Sequence, residues 1–199
     1  MNRDATRRTL LGHARHLRAA GHPHQAMTET EVARINDADE TERVVLGNLL
    51  ELYVHDLSES FPFVQLGNDG RFGYPKLAAY WTEPATHFAF LIREGGKIAG
   101  FALVTRGSPA AAEPDVYDLA EFFVLRGYRR SGVGRRAAQR LWQQVPGEWT
   151  VRASEANPSA LAFWREVVAE HSHGTATTSS WSGKTSQFCV FRFTSSEAR

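Results

Sequence analysis

The sequence predicts a single mixed α/β domain in which a mostly antiparallel central sheet of about six or seven strands is flanked by about four helices. Three observations favour this class. Short apolar runs alternate with longer amphipathic segments from residue 28 onward. The dipeptide Gly95-Gly96 joins two apolar runs as a tight hairpin turn. A third apolar run, at 116–125, leads through a glycine-rich turn into a helical pattern.

Caps and turn residues define the elements in the first half of the domain. Asp37 or Asp39 can cap a helix, because an aspartate side chain accepts hydrogen bonds from the free N–H groups of a first helical turn. Pro75 has the φ angle of a first helical position and opens a second, short helix. The elements predicted here are a strand at 28–36, a helix reaching residue 56, a helix at 75–81, and strands at 88–93 and 98–105.

The second half follows the same rules. The apolar residues of 132–144 recur at the spacing of one helix face. Pro158, directly after Asn157, opens a further helix. The elements predicted here are strands at 116–125 and 149–153, helices at 132–144 and 158–170, and a strand at 187–193 that closes the sheet.

Composition limits the function classes. The chain has 199 residues, 42% of them hydrophobic, and a net charge of +1, which suits one domain and gives no overall attraction for nucleic acid or membranes. No apolar run approaches the roughly 20 residues of a membrane span. The single cysteine, Cys189, excludes an intrachain disulfide and favours a reducing compartment. We therefore predict a cytoplasmic protein with neither a nucleic-acid nor a membrane partner.

Residues 1–26 differ from the rest of the chain. Their five arginines and one aspartate give +4, whereas the remaining residues, with 18 basic and 21 acidic side chains, give −3. We predict a basic N-terminal extension over 1–26, a mobile or loosely docked helix, followed by the domain at 27–199. The four histidines of the extension have no cysteine or carboxylate cluster beside them, so no metal site is predicted.

The segment 121–136 reads as a strand, a basic glycine-rich turn and a helix. Such a turn presents free backbone N–H groups at a helix N-terminus, which suits a phosphate or pyrophosphate. Gly132 and Gly134 place no Cβ between the backbone and the phosphate oxygens. A Rossmann or P-loop site is disfavoured, because the third glycine and the Gly-Lys-Ser/Thr sequence are missing. A plain capping turn with solvated arginines stays open.

Two motifs resemble those that bind acyl-CoA in the GNAT superfamily of N-acetyltransferases. These are Arg129-x-x-Gly132-x-Gly134 and, downstream, a segment at 157–164 that reads Asn-Pro-Ser-Ala-Leu-Ala-Phe-Trp. The element order over 28–194 is also similar to that of the family. Further aromatic segments between residues 49 and 81 resemble a poorly characterised subgroup of predicted acetyltransferases.

The resemblance implies a GNAT-like sheet splayed at the CoA-binding strand. It also implies direct transfer of an acetyl group from acetyl-CoA, without a metal, to a primary amine of an unidentified small-molecule or peptide acceptor. A catalytically weak acyl-CoA-binding or regulatory module of the same fold is the alternative. Dimers are frequent in the family, so a homodimer is one open assembly state.

In the family, the CoA-binding strand bonds the pantetheine arm like an added strand, and a backbone N–H, here near Val124, polarises the acyl carbonyl. The family's tyrosine that protonates the departing thiolate is replaced here by Trp164, whose indole is no acid near neutral pH. Water, Tyr128 or direct departure of the thiol stay open. By resemblance, the cofactor-binding residues are Phe123, Val124, Leu125, Arg129, Arg130, Ser131, Gly132, Val133, Gly134, Arg135, Asn157 and Trp164.

The amine must lose a proton to attack, so a carboxylate base is expected on the central strand. Asp118 and Glu121 interrupt its apolar run, where an unpaired carboxylate is costly. They point to opposite faces on a regular strand, and a bulge would change that. Glu121 lies closer to the expected acyl position and is the preferred base, with Asp118 second. Either can instead be a structural carboxylate.

Aromatic side chains are frequent between the first helix and the second strand. They can stack on a planar or sugar-like acceptor, although such residues also form protein cores. Tyr53, Tyr74 and Trp81 are the predicted acceptor-binding residues.

Overall fold

The computed structural model describes residues 29–183 and 186–196, so the predicted extension and its boundary with the domain at residue 27 lie outside the described residues. The mixed α/β class is confirmed. The elements are β1 (Thr30–Arg34), α1 (Glu40–Ser58), α2 (Ala79–Thr82), β2 (His87–Glu94), β3 (Lys97–Arg106), β4 (Tyr117–Val124), α3 (Val133–Gln144), β5 (Gly147–Ser154), α4 (Pro158–His171), β6 (Thr177–Ser182) and β7 (Gln187–Ser195).

The seven strands form one sheet in the order β1-β2-β3-β4-β5-β7-β6. Neighbouring strands are antiparallel except for β4 and β5, which are parallel. These two pair only through residues 117–119 and 149–151, and their later residues do not pair with each other. The sheet therefore opens into a cleft between β4 and β5, which confirms the predicted splay.

Two details of the sequence-based prediction are wrong. The strand at 187–193 does not close the sheet, because β7 lies between β5 and β6. β6 has the sequence Thr-Thr-Ser-Ser-Trp-Ser, and only Trp181 is even half-buried, so no alternating apolar pattern marks the strand. The second helix begins at Ala79 rather than Pro75, because the preceding residues form turns with bonds such as Leu77 N–H to the Tyr74 carbonyl.

Helices cover both faces of the sheet. α3 and α4 pack on one face, where Trp142, Leu141 and Val167 are fully buried. α1 and α2 pack on the other, where Leu46 and Tyr80 are buried against β2 and β3. Complete burial of one such apolar side chain stabilises the fold by about 1.5–3 kcal/mol, so the two cores hold β4 firmly between them.

A β-bulge in β4 decides where its carboxylates point. Leu103 of β3 pairs with Glu121, but the next residue, Val104, pairs with Leu119, so Ala120 is an extra residue on β4. A bulge shifts the alternation of side chains by one position. As a result Asp118 and Glu121 lie on the same face of the sheet, the one that α1 covers.

Candidate active site

The loop after β4 has the backbone form of an anion site. Arg130 and Gly132 have φ angles of 60° and 84°, in the left-handed region. α3 begins at Val133, and no side chain caps its N-terminus. The N–H groups of its first turn have no partner within the helix, as at any helix start. A Cβ on Gly132 would lie 2.6 Å from Nη1 of Arg136, the movable end of a long side chain, so the left-handed conformation is what favours glycine here.

Arg129 is turned back into the protein. Its Nε donates to the Val124 carbonyl oxygen at 2.7 Å, and its Nη2 donates to Asp56 at the end of α1. Arg126 also donates to Asp56, at 2.8 Å. Partial burial opposes the charge of Asp56, but these guanidinium bonds outweigh it and lower the pKa of the carboxyl group. Arg129 thus links the loop after β4 to the end of α1.

Two of the other three arginines in this segment also contact the rest of the protein, and the third does not. Arg135 forms ion pairs with Glu166 and Glu170 of α4, the second at 3.2 Å. Arg136 donates to Thr30 at 2.7 Å and to Glu94 at 2.9 Å, on the first two strands. Arg130 is exposed. Backbone N–H groups are therefore the main phosphate donors that this loop offers.

The edge of β4 faces the cleft with its backbone. The Leu125 N–H, directly after β4, donates to the Ala99 carbonyl of β3 at 2.8 Å. Since N–H groups alternate in direction along an antiparallel strand, those of Phe122 and Val124 point away from β3 toward the opening. The side chains of Phe123 and Leu125 instead pack in the core under α1. At this strand it is the backbone that can hold a cofactor arm.

A cavity of about 330 Å³, the cleft cavity, occupies the opening between β4 and β5. Asn157 lies at its wall as the N-cap of α4, and its Oδ1 accepts the N–H of Ala160 at 3.1 Å. Its amide NH₂ group is what remains for a ligand. Trp164 is 7% exposed and packs edge-on against Phe122, so it forms part of the wall and of the core. Ser131 donates to the Tyr128 carbonyl at 2.7 Å and closes the loop upon itself.

Glu121 lies at the centre of a side-chain cluster. Its Oε2 accepts the hydroxyl of Tyr53, and its Oε1 accepts the hydroxyl of Tyr74 at 2.9 Å. Burial raises the pKa of Glu121 above its ordinary value, although both phenol bonds and the positive charge of Arg152 act in the opposite direction. Glu121 is a half-buried residue and lines the cleft cavity. Tyr53 and Tyr74, two of the three predicted acceptor-binding residues, therefore donate hydrogen bonds to the predicted base.

The loop that carries Tyr74 is held by Glu51 of α1. The Glu51 carboxylate accepts the N–H groups of Phe72 at 2.7 Å and Gly73 at 3.2 Å, and the Nε of Arg71 at 3.3 Å. These bonds, that of Phe72 first, lower the pKa of Glu51. Helix α1 thus places both phenols, Tyr53 directly and Tyr74 through this loop.

Asp118 has a different environment from Glu121. Its side chain is fully buried and accepts the Nε of Arg152 at 2.9 Å and its Nη2 at 2.6 Å. The hydroxyls of Thr150 and Ser108 add bonds at 2.8 and 3.1 Å. With both oxygens bonded and no exposed surface, Asp118 has the geometry of the structural alternative that the sequence left open.

A second cavity of about 440 Å³, the polar cavity, lies on the far side of Glu121. It shares Lys76, Ala120, Glu121 and Arg152 with the cleft cavity, so Glu121 lies in the common wall. The remaining lining residues are mainly polar or aromatic: Tyr74, Tyr80, His87, Thr105, Gly107, Ser108, Pro109 and Asp118.

Two residues named from the sequence lie away from this wall. Trp81 packs at the rim of the α1 core with the Arg43 guanidinium 5.0 Å from its ring centre, and it lines neither cavity. Tyr128 packs against the opposite core and lines neither cavity. Sequence reasoning missed Arg152 and Lys76. A charge within the buried strand β5 was a usable signal for Arg152, whereas nothing in the local pattern marks Lys76.

Residues 50–167 match the model of the acetyltransferase (GNAT) family. The chain belongs to this family. No match was found among curated proteins. The fold is similar to that of an acetyltransferase from Thermus thermophilus, with 19% identity, 82% of this chain and 97% of the other covered, and a TM-score of 0.55.

Two further GNAT-fold structures were solved with ligands. An acetyltransferase from Salmonella typhimurium, with its cofactor acetyl-CoA, has 11% identity, 83% and 93% coverage and a TM-score of 0.55. The spermidine N-acetyltransferase of Vibrio cholerae, in complex with CoA and spermine, has 9% identity, 83% and 95% coverage and a TM-score of 0.56. At these identities the likeness shows the shared fold.

Two kinds of feature are absent from the described part of the chain. Over residues 29–183 and 186–196, no helix has the length and apolar character needed to cross a membrane. In the same residues, no group of three or more His, Cys, Asp or Glu side chains is placed to hold a metal ion.

Proposed function

We propose that this GNAT acyltransferase passes an acetyl group directly from acetyl-CoA to a primary amine, with Glu121 as the general base. One observation carries the proposal: Glu121, with its raised pKa, lies in the wall shared by the cleft cavity and the polar cavity. A donor in one cavity and an amine in the other would meet at this carboxylate.

The chain's own groups fit acetyl-CoA, which supplies the activated acyl group. The uncapped first turn of α3 offers N–H donors to the pyrophosphate, and the left-handed Gly132 leaves the backbone accessible. The N–H groups of Phe122 and Val124 suit the amide-bearing arm and the acyl oxygen, and the NH₂ of Asn157 suits the same arm. The side chains of Arg129 and Arg135 stabilise the loop rather than the ligand.

The acceptor reacts as its neutral amine, and Glu121 would take the one proton that the nitrogen loses as it attacks the acyl carbon. A raised pKa brings the carboxyl group closer to that of an amine and makes it a better base. Tyr53 and Tyr74 fix its orientation, and each carboxylate oxygen keeps a lone pair for the amine proton. Asp118 acts through Arg152, which it holds in place.

The departing thiol needs a proton, and Trp164 has none to give. Tyr53 lines the cleft cavity, and its hydroxyl already bonds to Glu121. We assign it as the relay: Tyr53 donates its proton to the sulfur side and regains one from Glu121. The one proton that the amine loses to Glu121 is thus matched by the one that the thiol gains from Tyr53. The transfer needs no covalent enzyme intermediate.

The test combines binding with turnover. Calorimetry with acetyl-CoA, and thiol release with a panel of primary amines, should both give positive results. Glu121→Gln should lower kcat by about 10²–10⁴-fold while the Kd for acetyl-CoA stays the same, since only proton transfer is lost. Glu40→Gln, an exposed carboxamide change in the first turn of α1, is the matched control.

Two outcomes would contradict the proposal. An unchanged rate for Glu121→Gln would remove the base. Acetyl-CoA binding without thiol release across the panel would favour the alternative, a catalytically weak acyl-CoA-binding or regulatory module, which Trp164 at the tyrosine position motivates.

We also propose a cytoplasmic location, which the single, half-buried thiol Cys189 supports. A homodimer, the domain boundary at residue 27 and acceptor contacts by Trp81 stay predictions.

A further inference from the structure

The polar cavity holds more free hydrogen-bond donors than free acceptors. Its two carboxylates are already bonded: Asp118 by Arg152, Thr150 and Ser108, and Glu121 by two phenols. A ligand that offered only positive charge would find one carboxylate partly available, that of Glu121.

Three donors that line the cavity have no partner among the described residues. Arg152 uses Nε and Nη2 on Asp118, so its Nη1 group is free. Tyr80 is a buried residue, 2% exposed, and its hydroxyl makes no hydrogen bond to any described residue. Lys76 lines both cavities and pairs with no carboxylate of the described residues.

Each of the three donors keeps some accessible surface, and Lys76 is exposed, so a ligand that supplies acceptors can form hydrogen bonds with all of them. Two of the three donors, Arg152 and Lys76, are cationic. A carboxylate, with about four lone-pair sites, matches this set. Both cations also line the wall that contains Glu121, so the anionic group and the reacting amine of one acceptor would be close together.

We propose that the acceptor is an amino acid, whose amine faces Glu121 and whose carboxylate is bound by Arg152, Lys76 and Tyr80. This inference rests on the proposed acetyl transfer and names its substrate class. The carboxylate bonds would hold the amine next to the acyl position, and the cavity of about 440 Å³ accommodates a compound of that size. Polycationic acceptors are disfavoured, because Lys76, which pairs with no carboxylate of the described residues, repels a second ammonium group.

The experiment compares matched acceptors. Thiol release from acetyl-CoA is measured with the twenty L-amino acids, with their amides and with the corresponding decarboxylated amines. The best amino acid should exceed its amide in kcat/KM by about tenfold or more, as expected for the loss of a charge-assisted bond. Equal or higher values for the amide, the decarboxylated amine or spermine would overturn the inference.

Variants of the free donors test the assignment of the site. Lys76→Met should raise the KM for the amino acid by roughly tenfold, and leave kcat/KM for the amide unchanged. Tyr80→Phe, which keeps the buried ring, should act in the same direction. Lys97→Met, in the β2–β3 hairpin, lines neither cavity and is the matched control. Equal effects of Lys76→Met on amino acid and amide would overturn the inference.

Failure of the proposed function has a separate signature. If acetyl-CoA binds and no compound of any class releases thiol, acetyl transfer itself is overturned, and the inference with it. If amines react without a preference for the carboxylate, acetyl transfer stands and the inference alone is overturned.

Discussion

The proposed cofactor end and the proposed acceptor end of the site are built from different parts of the polypeptide. At the cofactor end, one continuous segment from β4 through α3 presents backbone N–H groups, and its arginines serve to fix it. At the acceptor end, side chains from α1, the loop after it, β4 and β5 converge on Glu121 and Asp118. The first end depends on local conformation and the second on tertiary packing.

This difference decides what each end tolerates. A backbone site withstands changes to most side chains but not to the few residues that set its φ angles. A side-chain cluster withstands loop changes but not the loss of one partner, because the remaining buried groups are then left unpaired. Three substitutions separate the two cases.

The largest effect is expected at the acceptor end, from Asp118→Asn. The change leaves the guanidinium of Arg152, whose side chain is 16% exposed, without its charged partner. Loss of one member of a buried ion pair destabilises a fold by about 3–5 kcal/mol. Urea unfolding should show this loss.

Asp115→Asn is the control, since Asp115 pairs with Arg106 at an exposed site. It should change the free energy of unfolding by less than about 1 kcal/mol. Equal stability of the Asp118 variant and the control would show that the cluster is not held by this pair.

The same difference explains which parts the sequence could predict. The strand, glycine turn and helix at 121–136 are local, and Asn157 and Pro158 mark the start of α4, so the cofactor end was visible as a motif. The hydrogen bonds from Tyr53 and Tyr74 to Glu121 join residues that are 68 and 47 positions apart in the sequence, and no local pattern predicts such contacts. The bulge at Ala120 was foreseen only as an option, because nothing in the strand's composition fixes its register.

A carboxylate within an apolar run can be either catalytic or structural, and the sequence does not distinguish the two roles. Asp118 and Glu121 looked alike in sequence, as carboxylates in an apolar run. They differ in what faces them: a guanidinium for Asp118 and two phenols for Glu121. A guanidinium neutralises the charge of Asp118, whereas the phenols carry no charge, and burial raises the pKa of Glu121 to the benefit of a base.

At the cofactor end, Gly132→Ala should have the next largest effect. The added Cβ would meet Arg136 Nη1 at 2.6 Å, and alanine at φ 84° is strained by roughly 1–2 kcal/mol. In the variant the unliganded loop should relax out of this conformation, so acetyl-CoA must restore it on binding, and we expect the Kd to rise by about tenfold. Calorimetry measures the change.

Gly127→Ala is the neighbouring control, because no atom lies within 4 Å of its added Cβ and its φ is not positive. Its Kd should equal that of the unaltered protein. Equal Kd values for the Gly132 variant and the control would argue that the loop does not hold the cofactor.

The smallest effect, and the sharpest test of the acceptor end, is a change in pH dependence. The Tyr74 hydroxyl bonds to the charged form of Glu121, so Tyr74→Phe should raise the pKa of Glu121 further. A base acts when deprotonated, so activity is present above this pKa and is lost as the pH falls through it. The acid limb of log kcat/KM against pH should therefore move to higher pH, while the rate on the alkaline plateau changes little. Tyr117→Phe is the control, because Tyr117 lies on β4 like Glu121 but lines neither cavity, and it should leave the acid limb in place. If the acid limb of the Tyr74 variant stays in place or moves to lower pH, a group other than Glu121 titrates there. The Tyr74 hydroxyl would then have a structural role and no effect on the base.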